Sequence, residues 1–186
     1  MKSNANAIRH VLGASLCALL LQGTAAYAAD AFELTSPDLP DGGTLALSHA
    51  GSQNNCGGSN VSPALQWRNA PAGTRSFAIT IFDPDGAKGL GVVHWVMYGI
   101  PASTTSLAAG GEPPVGAHLG LNVRGQAAYI GPCPPVGEIA HHYIAQIYAL
   151  DLEPDALAAG LTRDALQAAI KGHVLANTGT VMRFGR

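Results

Sequence analysis

Charge is scarce in this chain. Only 12% of its 186 residues are Asp, Glu, Lys or Arg, and lysines and arginines nowhere form a run. That excludes the electrostatic footprint of a nucleic-acid binder and a purely ionic grip on anionic membranes. Cysteines number three, too few for a scaffold built from disulfides. The N-terminal apolar run, Val11 to Leu21, falls short of the roughly 20 residues a bilayer-spanning helix needs. What the chain does have is turn formers, with 23 glycines and 12 prolines. A turn-rich sequence poor in surface charge reads as a β protein with elaborate loops.

Residues 1–28 read as a signal peptide. Lys2, Arg9 and His10 make a basic start, the apolar run follows, and Ala26-Tyr27-Ala28 is a small-x-small cleavage signal. Cys17 has Leu16 before it where a lipoprotein site needs a small residue, so no lipid is expected. Cleavage near Ala28 removes two of the ten basic residues and none of the twelve acids, leaving a net charge of about −4. The product, residues 29–186, has the size of one domain and is expected to be periplasmic or secreted, with no transmembrane segment. Cys56 and Cys133 remain. In an oxidising compartment they are either bridged, closing a loop worth about 4 to 5 kcal/mol, or stand as two free thiols.

Strand patterns dominate after the leader. Short strands are expected at Phe32 to Thr35 and Thr44 to Leu47. Ser76 to Asp83 alternates, with Phe77, Ile79 and Ile81 on one face and Ala78, Thr80 and Phe82 on the other. Both faces are largely apolar, as in a central strand. Val92 to Ile100 and His142 to Leu150 read likewise, and Thr180 to Phe184 closes the chain. One helix is expected, capped by Thr162, with Leu161, Ala165, Leu166, Ala169 and Ile170 as its apolar stripe and Gly172 ending it. Asp155 to Ala159 could add a short turn.

Polar groups gather at the strand ends. Asp83-Pro84-Asp85-Gly86 is good turn chemistry, yet it also offers two carboxylates beside a central strand. His94 falls with Val92, Val96 and Tyr98 by alternation, so it is either a satisfied core residue or an imidazole held ready for a ligand. Gly131-Pro132-Cys133-Pro134-Pro135 cannot be regular structure, and only Gly131 and Cys133 offer amides in it. His141 and Tyr143 share a face, while His142 points away.

These segments, in this order and spacing, resemble the phosphatidylethanolamine-binding protein family, in its bacterial Raf-kinase-inhibitor-like branch. The resemblance runs from about Phe32 to Arg186. It is carried by Asn60-Val61-Ser62-Pro63-Ala64-Leu65-Gln66-Trp67, Asp83-Pro84-Asp85, His94-Trp95-Val96, Gly131 to Pro135, His141-His142-Tyr143 and Gly172-His173. It implies a mainly β fold: a sandwich with an antiparallel-rich central sheet and a few short peripheral helices. It also implies a small cavity at one sheet end that takes phosphate-like anions, phospholipid head groups included. Asp83, Asp85, His94, His141 and Tyr143 would line it, with Gly131, Pro132 and Cys133 as one wall. Three places depart from the family pattern. Gly86-Ala87 stands where Ala-Pro is usual, the Gly120 to Gly125 stretch lacks the familiar Arg and aromatic, with Arg124 as the candidate substitute for the missing charge, and His142 stands where Arg is commoner.

The function expected is therefore a non-catalytic binding protein without cofactor or bound metal that grips a small anion; the resemblance alone implies a further role as inhibitor or modulator of a protein partner. The competing reading is a hydrolase that uses a metal on the Asp/His cluster, or Cys133 as nucleophile.

Overall fold

The computed structural model describes residues 30–186. The leader, its cleavage site and Cys17 lie outside the described residues. Nine strands follow in chain order: β1 (Glu33–Thr35), β2 (Gly43–Thr44), β3 (Leu65–Arg68), β4 (Ser76–Asp83), β5 (Val92–Pro101), β6 (Ser106–Leu107), β7 (His118–Leu119), β8 (His141–Leu150) and β9 (Val174–Phe184). They form a three-stranded sheet, β1-β3-β6, and a six-stranded sheet, β2-β9-β8-β4-β5-β7. Every pairing is antiparallel except β2 with β9. This is the expected β-sandwich.

The two apolar faces of β4 have separate partners. Phe77, Ile79 and Ile81 pack toward the small sheet, meeting Leu34, Leu65, Trp67 and Leu107. Trp67 sets its edge against Phe77 at 5.4 Å between centroids. On the opposite face Ala78, Val96, Tyr98 and Leu150 are covered by Leu166 and Ile170. Those two residues come from the helix Arg163–Ala169 and its C-cap. Thr162 accepts the Ala165 N–H at 3.2 Å and Asp164 sits in the first turn, so the cap and dipole signals operate as expected. Ala165 and Ala169 are exposed, however; the buried stripe is narrower than the periodicity suggests. Arg163 lies over the Phe82 ring at 4.2 Å and covers part of the same face.

Three expectations change. The final strand begins at Val174, not Thr180, because β9 pairs with β8 along its whole length. Its exposed side carries polar Asn177 and Arg183, and half-buried Thr178 lies on the other side, which masks the strand pattern. The strand expected over Thr44 to Leu47 is only Gly43–Thr44, and Leu47–His49 is a 3-10 turn. The third change is the narrower helix stripe; Asp155 to Ala159 forms turns, as expected.

The Gly/Pro loop is fastened from several sides. Cys56 and Cys133 are bridged, with Cα atoms 5.3 Å apart, which settles the choice between bridge and free thiols. Asn60, at φ 57°, accepts the Gly131 N–H (2.7 Å) and donates to the Tyr129 carbonyl (3.1 Å). Arg186 donates to the carbonyls of Pro134 and Asn55, both at 2.8 Å. Gly131 passes so close to another backbone segment that a Cβ there would fall 2.2 Å from the His49 carbonyl oxygen.

Two stability outcomes follow. Replacing Cys56 and Cys133 together by Ser removes the cross-link across 77 residues. It should lower unfolding free energy by about 4 kcal/mol in the chain-entropy account. Gly131→Ala should cost roughly 2–3 kcal/mol, since backbone rather than a flexible side chain must give way. Denaturant melts of the oxidised proteins read both; an unchanged midpoint in either variant would contradict the account of the loop.

Candidate functional site

β4 runs antiparallel to both β5 and β8, so its C-terminal end meets the N-terminal ends of its two neighbours. Asp83 is the last residue of β4, His94 lies near the start of β5, and His141 opens β8. Topology alone thus brings the three together, and all are buried. With Tyr143 they line a cavity of about 190 Å³, whose other walls include Val92, Arg124, Ile130, Gly131, Cys133 and Pro134. A larger depression, about 550 Å³, lies elsewhere, over Gln66, Arg68 and Ser106 of the small sheet. It holds no cluster of buried titratable groups, so the chemistry points to the smaller cavity.

His94 reaches the cavity by a route that strict alternation does not give. Ile81 pairs with Trp95 but Phe82 pairs with Val93, so one extra residue is accommodated in β5 at His94. Such a bulge re-aims the strand. Val96 and Tyr98 therefore face the helix-covered core, while His94 sits edge-on to Tyr143 at 5.1 Å. The expectation that His94 shares a face with Val96 and Tyr98 fails for this reason. Its Nδ1 donates to the Ile130 carbonyl at 2.8 Å, and its Nε2 is buried without a partner, 4.0 Å from Asp83 Oδ2.

Asp83 is fully employed. Its Oδ1 accepts the amides of Asp85 and Gly86, each at 2.9 Å, and its Oδ2 accepts from His141 Nδ1, also at 2.9 Å. A Cβ at Gly86 would approach Val92 to 2.7 Å and Asp83 Oδ2 to 3.0 Å, which explains the glycine. Ala87 and Lys88 then take positive φ, 51° and 59°. Proline at 87 could not adopt that conformation, so the departure from the family pattern produces a differently shaped turn.

The two imidazoles are held in opposite states. Burial pushes the His94 pKa down, against weaker raising effects from Ile130 and Asp83. Burial also acts to lower His141, but hydrogen bonds to Asp83 and Glu138 outweigh it and the net shift is upward. Glu138, itself more than half exposed, accepts from His141 Nε2 at 3.3 Å. The Tyr143 phenol is pushed up by burial first and by the Asp83 charge second, so it keeps its proton.

Asp85 and Pro132 stand apart from the cavity wall. The Asp85 carboxylate accepts both the backbone N–H (2.8 Å) and Nδ1–H (2.9 Å) of His142, and the backbone bond is the main cause of its lowered pKa. It ties the turn after β4 to β8. Arg183 donates to His142 Nε2 at 3.2 Å, continuing that chain away from the pocket. Pro132 offers its carbonyl to the Gly51 N–H. The Gly131 amide, a candidate anion donor, is spent on Asn60. Gly131 and Cys133 do line the wall, as do Asp83, His94, His141 and Tyr143.

Sequence reasoning missed Val92, Ile130, Pro134 and Glu138. For Glu138 the signal was its position three residues before His141, visible only once the loop path is known. Arg124 lines the cavity from the loop after β7, where buried Asn122 accepts its backbone N–H at 2.8 Å. A second, adjoining cavity of about 130 Å³ shares Arg124, Ile130, Gly131 and Cys133 with the first. Among the described residues, no helix is long and apolar enough to cross a membrane.

Comparison with known proteins agrees with this geometry. The family model described as phosphatidylethanolamine-binding protein matches residues 35–185. The UPF0098 protein YbcL of Escherichia coli is 42% identical over 131 residues, which make up 67% of this chain and 72% of YbcL. LppC of Mycobacterium tuberculosis, a lipoprotein by name, is 38% identical over 150 residues, 78% of this chain and 71% of LppC. The crystal structure of YbcL, described as a new member of the mammalian PEBP family, superposes with a TM-score of 0.77 at 34% identity. That match covers 83% of this chain and 98% of YbcL's. A sandwich of this topology, with an acid and two imidazoles meeting at one sheet end and a match along nearly all the described residues, places the chain in the phosphatidylethanolamine-binding protein family.

Proposed function

We propose that the protein is an exported, non-catalytic binding protein whose cavity receives a small oxyanion, phosphate or a phosphorylated head group. The observation that carries this reading is Glu138. An acidic side chain, more than half exposed, leans onto the Nε2 of the buried His141. It occupies a place where an external oxyanion can sit, and the bond is long enough to be exchanged. With Glu138 displaced, His141 and Arg124 are the cationic groups left to meet an incoming anion, against Asp83 in the cavity and Asp85 just outside it. The Tyr143 O–H adds a neutral donor.

Binding rather than turnover is favoured because the cluster holds no activated nucleophile. Cys133 is tied to Cys56, which withdraws the thiol from the competing hydrolase reading. Export is supported by that same bridge, a bond of oxidising compartments, and by the lipoprotein name of the LppC relative. Phospholipid head groups enter only as one source of the phosphoryl group; the family name is the ground for including them.

Calorimetric titration with inorganic phosphate tests the reading. One site per chain is expected. His141→Gln should weaken binding roughly tenfold or more, the scale of a hydrogen bond to a charged partner. Glu138→Gln should tighten it several-fold by removing the internal competitor. Absence of phosphate binding by the unaltered protein, or an unchanged affinity in Glu138→Gln, would overturn the proposal. The pH dependence has a defined sign. His141 is held protonated above its ordinary value, so its contribution is full in acid and declines as pH rises through that raised value. The ratio of unaltered to His141→Gln affinity, in which phosphate's own ionisation cancels, should therefore shrink toward alkaline pH.

A further inference from the structure

His94 presents the cavity with a requirement that an anion alone does not meet. Its Nδ1 lies 2.8 Å from the Ile130 carbonyl. A carbonyl only accepts, so Nδ1 carries the ring proton and Nε2 of the neutral ring is a lone pair. That nitrogen is buried, has no partner, and stands 4.0 Å from Asp83 Oδ2. The carboxylate oxygen is an acceptor too. Oδ2 already takes the His141 Nδ1 proton, so a donor that enters beside it has one unpaired acceptor to serve, His94 Nε2. A bare oxyanion oxygen in the same place would face a lone pair and a negative charge together.

We propose that the pocket selects oxyanions that bring their own hydrogen-bond donor, a P–OH whose proton goes to His94 Nε2 while Asp83 Oδ2 keeps that of His141, and discriminates against isosteric anions without one. This rests on the oxyanion reading of the site and narrows it: of the phospholipid sources it keeps the free head group, a phosphomonoester, and sets aside the intact lipid, a phosphodiester. The remaining groups around the ring are consistent with such a ligand. His141 and Tyr143, from β8, offer N–H and O–H donors to its other oxygens once Glu138 is displaced, and Arg124 approaches from the loop after β7. Asp83, from β4, is the one fixed negative charge near His94, and His141 and Arg124 both oppose protonation of the ring.

The consequences separate ligands by proton content rather than by shape. Inorganic phosphate keeps a hydroxyl proton at neutral pH, whereas sulfate keeps none. A phosphomonoester keeps one only below its second ionisation, at about pH 6, and a phosphodiester has none to give. Sulfate can enter only if His94 Nε2 takes a proton from solvent and becomes the donor.

The experiment is calorimetric titration of the purified protein at pH 7 with phosphate, sulfate, methyl phosphate and dimethyl phosphate, repeated on acidification in two buffers of different ionisation enthalpy. Phosphate should bind roughly tenfold or more tightly than sulfate, the scale set by leaving a buried acceptor unpaired. Methyl phosphate should gain affinity as pH falls through its second ionisation, and dimethyl phosphate should not compete. Sulfate binding in acid should carry an uptake of about one proton per anion. Equal affinity for phosphate and sulfate at pH 7 without proton uptake would overturn this inference and leave the oxyanion reading standing. Failure of both anions to bind would remove the oxyanion reading and this inference with it.

Discussion

The carboxylate of Asp83 is the group on which the rest of the site is arranged. Buried at the end of a central strand, it would be costly without partners. One oxygen takes two backbone amides and thereby shapes the turn that follows; the other takes His141 Nδ1. The turn places Gly86 where only a hydrogen fits, and the bond to His141 orients an imidazole that opens the next strand. Removing the carboxylate would free two amides, one turn and one ring at once. Few side chains in a small domain coordinate so many neighbours, and it is possible here because β4 lies centrally between β5 and β8.

The surrounding architecture divides its work. The sandwich buries Phe77, Ile79 and Ile81 on one face of β4 and gives Ala78 and Phe82 to the helix side, so the strand cannot slip by one residue without exposing both sets. That fixed register is what makes the bulge at His94 meaningful, because an extra residue in β5 moves one side chain relative to a frame that stays put. On the other side the wall is fastened covalently by Cys56–Cys133 and through hydrogen bonds by Asn60 and Arg186. On the proposed oxyanion reading, the one group that has to leave the cavity for an anion to enter is the exposed Glu138.

How far the sequence discloses this differs by element. The alternation in Phe77 to Asp83 and the capped helix after Thr162 are legible because each is a local pattern with one physical meaning. The resemblance brought the site residues together, and the order of strand ends made the meeting of Asp83, His94 and His141 reasonable. What stayed hidden was non-local. Asp83 and Asp85 look equivalent two residues apart, yet one faces the cavity and the other ties to His142, a difference decided by the β4–β8 packing. The bulge at His94 depends on pairing with β4 and leaves no mark in its own strand. Glu138 is one polar residue in an exposed loop until that loop is folded back over His141.

On the proposed reading, the contrast between the two histidines also decides what the cavity recognises. His141 lies between two carboxylates and is driven toward its charged form; His94 lies against a carbonyl and is driven toward its neutral one. A pocket with two imidazolium donors would accept any anion of the right size. A pocket with one donor and one acceptor responds to where a proton sits on the ligand. A small ligand offers few atoms, so overall affinity is bounded. Discrimination is not bounded in the same way, because an unpaired buried acceptor is costly however small the ligand that faces it. The arrangement therefore suits a site whose selectivity exceeds its strength of binding. It requires the wall to hold Ile130 against His94, and the segment from Tyr129 to Pro134 is clamped on both sides of that carbonyl.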